Sequence, residues 1–112
     1  MRTSQTSSTV IVLTTLGADD NATELARTLV AERLAACVNV LPVMTSTYRW
    51  QGKVEQAQER QVVIKTSAGR VSDLEVRLQA LHPYDVPEFL VLRVEDGSAD
   101  YLEWVRASVT VD

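Results

Sequence analysis

The chain has 112 residues, of which 46% are hydrophobic and 23% charged, and a net charge of −4; such values are typical of one compact soluble domain. The acidic balance argues against nucleic acid or an anionic membrane surface as a partner, because both attract basic proteins. The chain has a single cysteine, no apolar run long enough to cross a membrane and no apolar leader, so we expect a cytoplasmic protein without an internal disulfide.

The first predicted elements are a strand and a helix. Residues 1–8 are polar and are predicted to form a flexible tail, which leaves residues 9–112 as the single domain. The β-branched run of residues 9–15, TVIVLTT, is typical of a strand buried on both faces. Six apolar residues then recur at helical spacing: Ala22, Leu25, Ala26, Leu29, Val30 and Leu34. They predict an amphipathic helix that Asp20 or Asn21 can cap.

A long hairpin is predicted next. Residues 37–50, CVNVLPVMTSTYRW, are rich in valine, threonine and aromatic residues, which favour a strand. Pro42 interrupts that strand because it lacks a backbone donor. Gln51-Gly52 predicts a tight turn, since glycine readily supplies a positive φ. The return strand is predicted over residues 53–66, with an apolar second half.

A helix, a strand and a final helix complete the prediction. Apolar residues at helical spacing from Val71 to Leu81 indicate the second helix. It should end at His82, because a residue before proline is pushed out of helical geometry. Residues 88–95 contain an apolar run typical of a strand, and Ser98 can cap a short last helix.

This order, β-α-β-β-α-β plus a C-terminal helix, predicts an α+β fold of the ferredoxin-like, split βαβ type. We expect one antiparallel sheet, with both long helices on one face and a long hairpin that protrudes. No linker, low-complexity tract or multi-copy repeat interrupts the chain.

The hairpin is too long for one small domain. Each arm has about 14 residues and extends roughly 45 Å, whereas a domain of this length has a diameter of roughly 35 Å. An isolated two-stranded ribbon is only marginally stable. We therefore expect the ribbon to add to the sheet of a neighbouring subunit. The alternative is a bent hairpin that folds back on itself at Pro42.

Residues 82–88, HPYDVPE, concentrate side chains that can bind a ligand, including the only histidine. Four of them can line a pocket on a rigid loop: His82, Tyr84, Asp85 and Glu88. The alternative is a stiff connector between helix and strand, because two prolines fix φ within it.

Three more positions are candidates. Glu59 and Lys65 lie six residues apart on the return strand and share a face; they predict either a buried ion pair, within one strand or with a neighbour's strand, or a solvated surface. Cys37 is either an inert core residue or a thiol that lines a pocket between subunits. No catalytic pair is recognisable, so we do not expect an enzyme; a reactive Cys37 or Glu59 is the weakest hypothesis.

Four segments together carry a family resemblance: LAACVNVLP, TSTYRWQGKVEQAQERQVVIKT, HPYDVPE and YLEWV. In this order and spacing the chain resembles the CutA family of divalent-cation tolerance proteins from about residue 9 to residue 109. The resemblance implies a ferredoxin-like homotrimer, similar to that of the PII signalling proteins, which binds copper or other divalent cations. It also implies that certain residues lie at clefts between subunits: Cys37, Trp50, Lys65, Tyr84, Tyr101 and Trp104.

The resemblance further implies a copper site with a first-strand cysteine and two adjacent histidines. Those positions hold Thr14 and Leu81-His82 here. A shell for copper or zinc must therefore combine His82 with carboxylates from one or two chains: Glu59, Asp85 and Glu88. We expect such a site to be weak and to depend on His82. No obligatory cofactor is expected.

Two functions remain open at this point. The first is a trimeric divalent-metal tolerance protein with a signalling role. The second is a PII-like sensor of a small anionic metabolite, bound in the same clefts through Lys65, an arginine or backbone donors. The sequence names no downstream protein partner.

Overall fold

The computed structural model describes residues 8–111 and has the predicted order of elements, with a 3₁₀ turn at Ala68–Arg70 before the second long helix. The strands are β1 (Thr9–Gly17), β2 (Cys37–Trp50), β3 (Lys53–Ser67) and β4 (Leu90–Arg93). The helices are α1 (Ala22–Ala31), α2 (Val71–Leu81) and α3 (Ala99–Val109). Of the predicted tail, residues 1–7 lie outside the described residues. The carbonyl of Ser8 accepts a hydrogen bond from the Ala68 N–H at 2.6 Å.

The four strands form one antiparallel sheet in the order β2-β3-β1-β4. β1 lies inside the sheet between β3 and β4, and its residues alternate between buried and half-buried. The prediction that β1 is buried on both faces is therefore only half right. Its helix-side residues are covered completely, whereas Ile11, Leu13 and Thr15 on the other face are partly open.

The main core lies between one face of the sheet and two helices. Val12 and Ile64 pair across β1 and β3, and both are fully buried. Leu29 of α1 and Leu78 of α2 belong to the same cluster and are also fully buried. α1 and α2 therefore cover one face of the sheet, and each buries the apolar stripe that the sequence predicted. On the opposite face, α3 packs through Val105 and Val109 against Ala36.

Local signals set the helix ends. The Asn21 side chain accepts a hydrogen bond from the Glu24 N–H and caps α1, and the Ser98 side chain does the same for Tyr101 at the start of α3. Asp20 has another role, since its carboxylate accepts a hydrogen bond from the Gly17 N–H at 2.8 Å. α2 ends at Leu81, and His82 is already extended, as expected for a residue before proline.

The hairpin of β2 and β3 protrudes. The pairing of the two strands shifts between Val40 and Val43, where Pro42 falls, and the turn has φ values of 51° at Gln51 and 80° at Gly52. Among residues 8–111, no strand other than β2 pairs with residues 53–58. The chain measures 49 × 30 × 23 Å with a radius of gyration of 15.3 Å, above the ~13 Å of a compact domain of this size.

β4 is shorter and more exposed than predicted. It spans Leu90–Arg93 rather than residues 88–95, and Leu90 and Leu92 are 52% and 49% exposed. Within residues 8–111 it pairs with β1 along one edge, and its other edge has no strand partner. The longest α-helices of residues 8–111 have 11 residues, and none of these helices is suited to crossing a membrane.

Candidate functional site

A cavity of about 770 Å³ lies where the 84–88 loop meets the open face of the hairpin. Side chains on β2 and β3 line one side of it because residues two apart point to the same face of a strand. These residues are Met44, Ser46, Tyr48, Trp50, Ala57, Glu59 and Gln61. Thr15 and residues 84–88 complete the lining. We call this cavity the hairpin pocket.

Tyr84 and Glu59 join the loop to the hairpin. The Tyr84 hydroxyl donates a hydrogen bond of 2.6 Å to Glu59 Oε2, and Glu59 is only 8% exposed. Tyr84 and Glu59 are 25 residues apart in the chain, so this hydrogen bond fixes the loop against a distant strand. It also places a buried carboxylate in the wall of the hairpin pocket.

A second contact joins Glu88 to the sheet. The Gln61 amide donates hydrogen bonds to Glu88 Oε2 at 2.9 Å and to the Thr14 carbonyl at 2.7 Å. Because Gln61 lies two residues beyond Glu59 on β3, both side chains point to the same face of the sheet, and Gln61 holds Glu88 on that face. Nothing in the sequence singled out Gln61; only its shared parity with Glu59 could have indicated it.

His82 is buried and holds the loop in place. Its Nε2 lies 2.7 Å from the Thr15 carbonyl, and its Nδ1 accepts a hydrogen bond from the Tyr84 N–H at 3.1 Å. A carbonyl only accepts and an amide N–H only donates, so Nε2 carries the proton and Nδ1 uses its lone pair. Neither nitrogen is free to bind a metal ion. The structure therefore gives His82 the part of a connector, in place of the ligand role expected from the sequence.

The predicted metal ligands do not form a preformed metal site. Within residues 8–111, no group of three or more histidine, cysteine, aspartate or glutamate side chains is arranged to hold an ion. Glu59, Asp85 and Glu88 do line the same hairpin pocket. Thr14, at the position of the cysteine ligand implied by the resemblance, is fully buried. Its hydroxyl has no hydrogen-bond partner among the described residues.

The predicted cleft residues separate into two groups. Trp50 and Tyr84 line the hairpin pocket. The other four lie on α3 or on the strands next to it. The Lys65 ammonium lies 5.9 Å from the ring centroid of Tyr101 on α3, and the Tyr101 and Trp104 rings are 5.5 Å apart. Cys37 pairs with Lys65 across β2 and β3. We call this second group the α3 patch.

The proposed ion pair between Glu59 and Lys65 is absent from the ion pairs of the described chain. Six residues along a strand separate their Cα atoms by about 20 Å. Glu59 pairs with Gly17 on β1, whereas Lys65 pairs with Ile11 at the other end of the sheet. Sharing a face of the strand did not bring the two charges together, so the prediction of a pair within one chain was wrong.

The carboxylates of the hairpin pocket have no basic partner in the described part of the chain. The ion pairs there lie on the surface, away from the pocket: Arg70–Asp73, Arg77–Glu32 and Arg106–Glu103. The pocket lining contains three carboxylates and no lysine, arginine or histidine. Its electrostatic potential is therefore negative, which favours positively charged ligands.

The Tyr84 hydroxyl should report on this environment. Burial raises the pKa of Tyr84 well above its ordinary value, and the hydrogen bond to Glu59 and its negative charge raise that pKa further. The fold thus favours the neutral phenol, so its contribution to stability is complete below pH ~10 and lost as pH rises through the folded-state pKa. The absorbance titration of wild type minus that of Tyr84→Phe should show a phenol that ionises far above pH 10.

The Glu59→Gln variant tests whether the charge of Glu59 contributes to the raised pKa of Tyr84. It should lower the pKa of Tyr84 relative to wild type, because the negative charge is removed while the burial stays. If the titration of wild type minus that of Tyr84→Phe is centred near the ordinary tyrosine pKa of ~10, the contact between Tyr84 and Glu59 is contradicted.

Comparison with known proteins gives consistent relatives over almost the whole chain. A family model described as CutA1 divalent ion tolerance protein matches residues 10–108. The divalent-cation tolerance protein CutA of Thermus thermophilus is 46% identical over 96 residues, which are 86% of this chain and 93% of that protein.

Solved structures agree with this match. The crystal structure of CutA from Xylella fastidiosa has 44% sequence identity and a TM-score of 0.89, and the match covers 93% of this chain and 100% of that one. The CutA of Archaeoglobus fulgidus, described as a periplasmic divalent cation tolerance protein, has 27% identity and a TM-score of 0.86 over 91% of this chain and 99% of that one.

Proposed function

The chain belongs to the CutA1 divalent ion tolerance family, and we propose that it serves tolerance of divalent cations by binding them weakly at the carboxylates of the hairpin pocket. The four sequence segments predicted this family, and the prediction is confirmed. The family is named for ion tolerance rather than for a reaction, in line with the expectation that the protein is not an enzyme.

One observation carries the proposal: Glu59, Asp85 and Glu88 line one pocket and none of them has a basic partner among residues 8–111. Burying a carboxylate without a positive charge is unfavourable. Glu59 is 8% exposed, and its hydrogen-bond donor is the neutral hydroxyl of Tyr84. A bound cation would supply the missing charge.

The atoms of the pocket that can ligate a cation indicate which kind of cation it binds. His82 uses both ring nitrogens in hydrogen bonds, and Cys37 lies in the α3 patch. The charged ligands that remain are carboxylate oxygens, which suit magnesium, calcium and manganese better than copper or zinc. Three scattered carboxylates complete a shell only with water or with ligands from a neighbouring chain, so the binding is weak.

We also propose that the chain assembles as a homotrimer with the ferredoxin-like arrangement, in which the hairpin adds to the sheet of a neighbour. In the described part of the chain, the distal hairpin has no strand partner besides its own arm, and β4 has an unpaired edge with exposed apolar side chains. Such edges are stabilised when another strand pairs with them. This assembly would place clefts between subunits beside the hairpin pocket and the α3 patch.

The alternative, a sensor of an anionic metabolite, finds no support in the hairpin pocket, because its charge has the wrong sign for an anion. Lys65, the cation expected to bind that metabolite, lies in the α3 patch over the Tyr101 ring. A signalling role and a cytoplasmic location remain predictions, and we propose no downstream protein partner.

Calorimetric titration with manganese, zinc and copper tests the proposed function. We expect manganese to bind with a dissociation constant of roughly 0.1–1 mM, as weak carboxylate sites do. Glu59→Gln and Glu88→Gln should each weaken that binding, because each removes one charged oxygen ligand.

The matched control is Glu103→Gln, which removes the same charge from the exposed surface of α3. It should leave manganese binding unchanged. If manganese does not bind to wild type, or if it binds equally well to Glu59→Gln and Glu88→Gln, the proposed cation site is wrong.

A further inference from the structure

His82 attaches the loop that follows α2 to the sheet through both of its ring nitrogens. Nε2 donates to the Thr15 carbonyl of β1 at 2.7 Å, and Nδ1 accepts from the Tyr84 N–H at 3.1 Å. The backbone N–H of His82 donates to the Leu78 carbonyl of α2. Only 8% of His82 is exposed, and its ring contacts the Tyr84 ring at a centroid distance of 4.7 Å. Water therefore has little access to replace either hydrogen bond of the ring.

The neutral ring fits these two partners, and the protonated ring does not. A histidine that gains a proton donates from both nitrogens and accepts at neither. The new proton on Nδ1 would face the Tyr84 N–H, so two donors would meet where a hydrogen bond had been. A buried donor without an acceptor is unfavourable, so protonation forces the Tyr84 backbone away from the ring.

The charged groups near His82 do not compensate for this loss. No carboxylate of residues 8–111 forms an ion pair with its ring. The titratable side chain that contacts the ring is Tyr84, whose hydroxyl donates to Glu59 at 2.6 Å. The Asp20 carboxylate lies near the same hydroxyl, since both would contact a Cβ at Gly17. These two carboxylates act on Tyr84, so neither replaces the lost acceptor at the ring.

The 84–88 loop is attached at its two ends by different groups. Its first end depends on Tyr84, which bonds to His82 through its backbone and to Glu59 through its hydroxyl. Its other end is held by the 2.9 Å hydrogen bond from Gln61 to Glu88. Because both contacts of the first end belong to one residue, movement of the Tyr84 backbone also breaks the hydrogen bond to Glu59. The other end has no such dependence on His82.

We infer that His82 is an acid-sensitive switch: its protonation releases Tyr84 from the sheet and frees the buried Glu59 carboxylate, while Glu88 stays attached. Histidine suits this role because its charge ordinarily changes between about pH 5 and 8. The loop is attached when His82 is neutral and released when it is charged. This inference goes beyond the proposed divalent-ion function and does not depend on it, because it rests on the hydrogen bonds of one ring.

NMR spectra of the wild-type protein between about pH 8 and pH 5 test the inference, in buffer that contains a metal chelator. The chain has one histidine, so the imidazole signals report His82 alone. We expect the hydrogen-exchange protection of the Tyr84 N–H, corrected for the intrinsic effect of pH, to fall about tenfold or more as the ring gains its proton. The Glu24 N–H, whose acceptor is the Asn21 side-chain amide, should keep its protection.

His82→Asn is the matched variant. Asparagine does not titrate, and its side-chain oxygen can accept a hydrogen bond from the N–H two residues further on. The protection of the Tyr84 N–H in this variant should therefore be the same at both ends of the pH range. The carboxylates of Glu59, Asp85 and Glu88 are all retained in it, so an acid response that they cause would persist. If the variant does not fold, the comparison of the ring signals with the Tyr84 N–H in wild type decides the question.

Three outcomes overturn the inference. The first is a His82 ring that stays neutral until the protein unfolds. The second is a Tyr84 N–H whose protection does not change while the ring gains its proton. The third is an equal loss of that protection in His82→Asn. Since the chelator removes metal ions, these outcomes contradict only this inference, and failure of the manganese titration contradicts only the proposed function.

Discussion

Replacement of Leu78 by alanine is expected to lower the free energy of unfolding by about 2–5 kcal/mol. Leu78 is fully buried on α2, in the cluster where both long helices pack against the sheet. Removing its side chain loses apolar burial and leaves a cavity that the helix and sheet fill only in part. Denaturation by guanidinium at a fixed protein concentration measures the change, since association also contributes to stability.

Leu81→Ala is the matched control on the same helix. Leu81 is 39% exposed and lies outside the main core, so the same truncation should cost about 1 kcal/mol or less. Similar losses for the two variants would contradict the packing of α2 through Leu74 and Leu78.

The second large effect concerns assembly. Wild type is expected to have the mass of three chains by light scattering at micromolar concentration, and Leu90→Glu/Leu92→Glu to have the mass of one. Both leucines point to the same face of β4, opposite Leu13 and Ile11, and each is about half exposed in the single chain. If a neighbour covers them, two buried glutamates without partners prevent association.

Val76→Glu controls for the added charge. Val76 is 70% exposed on α2, which covers the face of the sheet opposite to Leu90 and Leu92, and the variant should keep the mass of three chains. Gly52→Val should weaken assembly to a smaller degree, because Gly52 has a φ of 80° at the hairpin turn and a β-branched residue is strained there. A wild-type protein with the mass of a single chain would contradict the proposed homotrimer.

Close neighbours in the chain explain why so much of the fold was predictable. The Asn21 and Ser98 caps, the end of α2 before Pro83 and the turn at Gly52 each depend on a few consecutive residues. The helical stripes depend on a period that any amphipathic helix must have. These signals determined the order of the elements, and that order predicted that α1 and α2 cover the same face of the sheet.

The sequence predicted most residues of the candidate site but not their contacts. Glu59, Asp85 and Glu88 were expected to act together, and the structure places them around one pocket. The same reasoning put His82 among them, but the Thr15 carbonyl and the Tyr84 N–H occupy its nitrogens. The histidine itself is visible in the sequence, whereas one of its two partners, the Thr15 carbonyl, lies on a strand 67 residues away in the chain.

The sequence by itself determined the family, the order of the strands and helices, their caps and the long hairpin. Only the tertiary structure decided that Glu59 meets Tyr84 rather than Lys65, that Gln61 positions Glu88, and that β4 is a short strand with a free edge. The physical reason is the separation along the chain of the residues that interact. Periodicity, φ preference and capping act within one turn or strand, whereas the partner of a buried charge depends on which distant elements the packed core brings within hydrogen-bond distance.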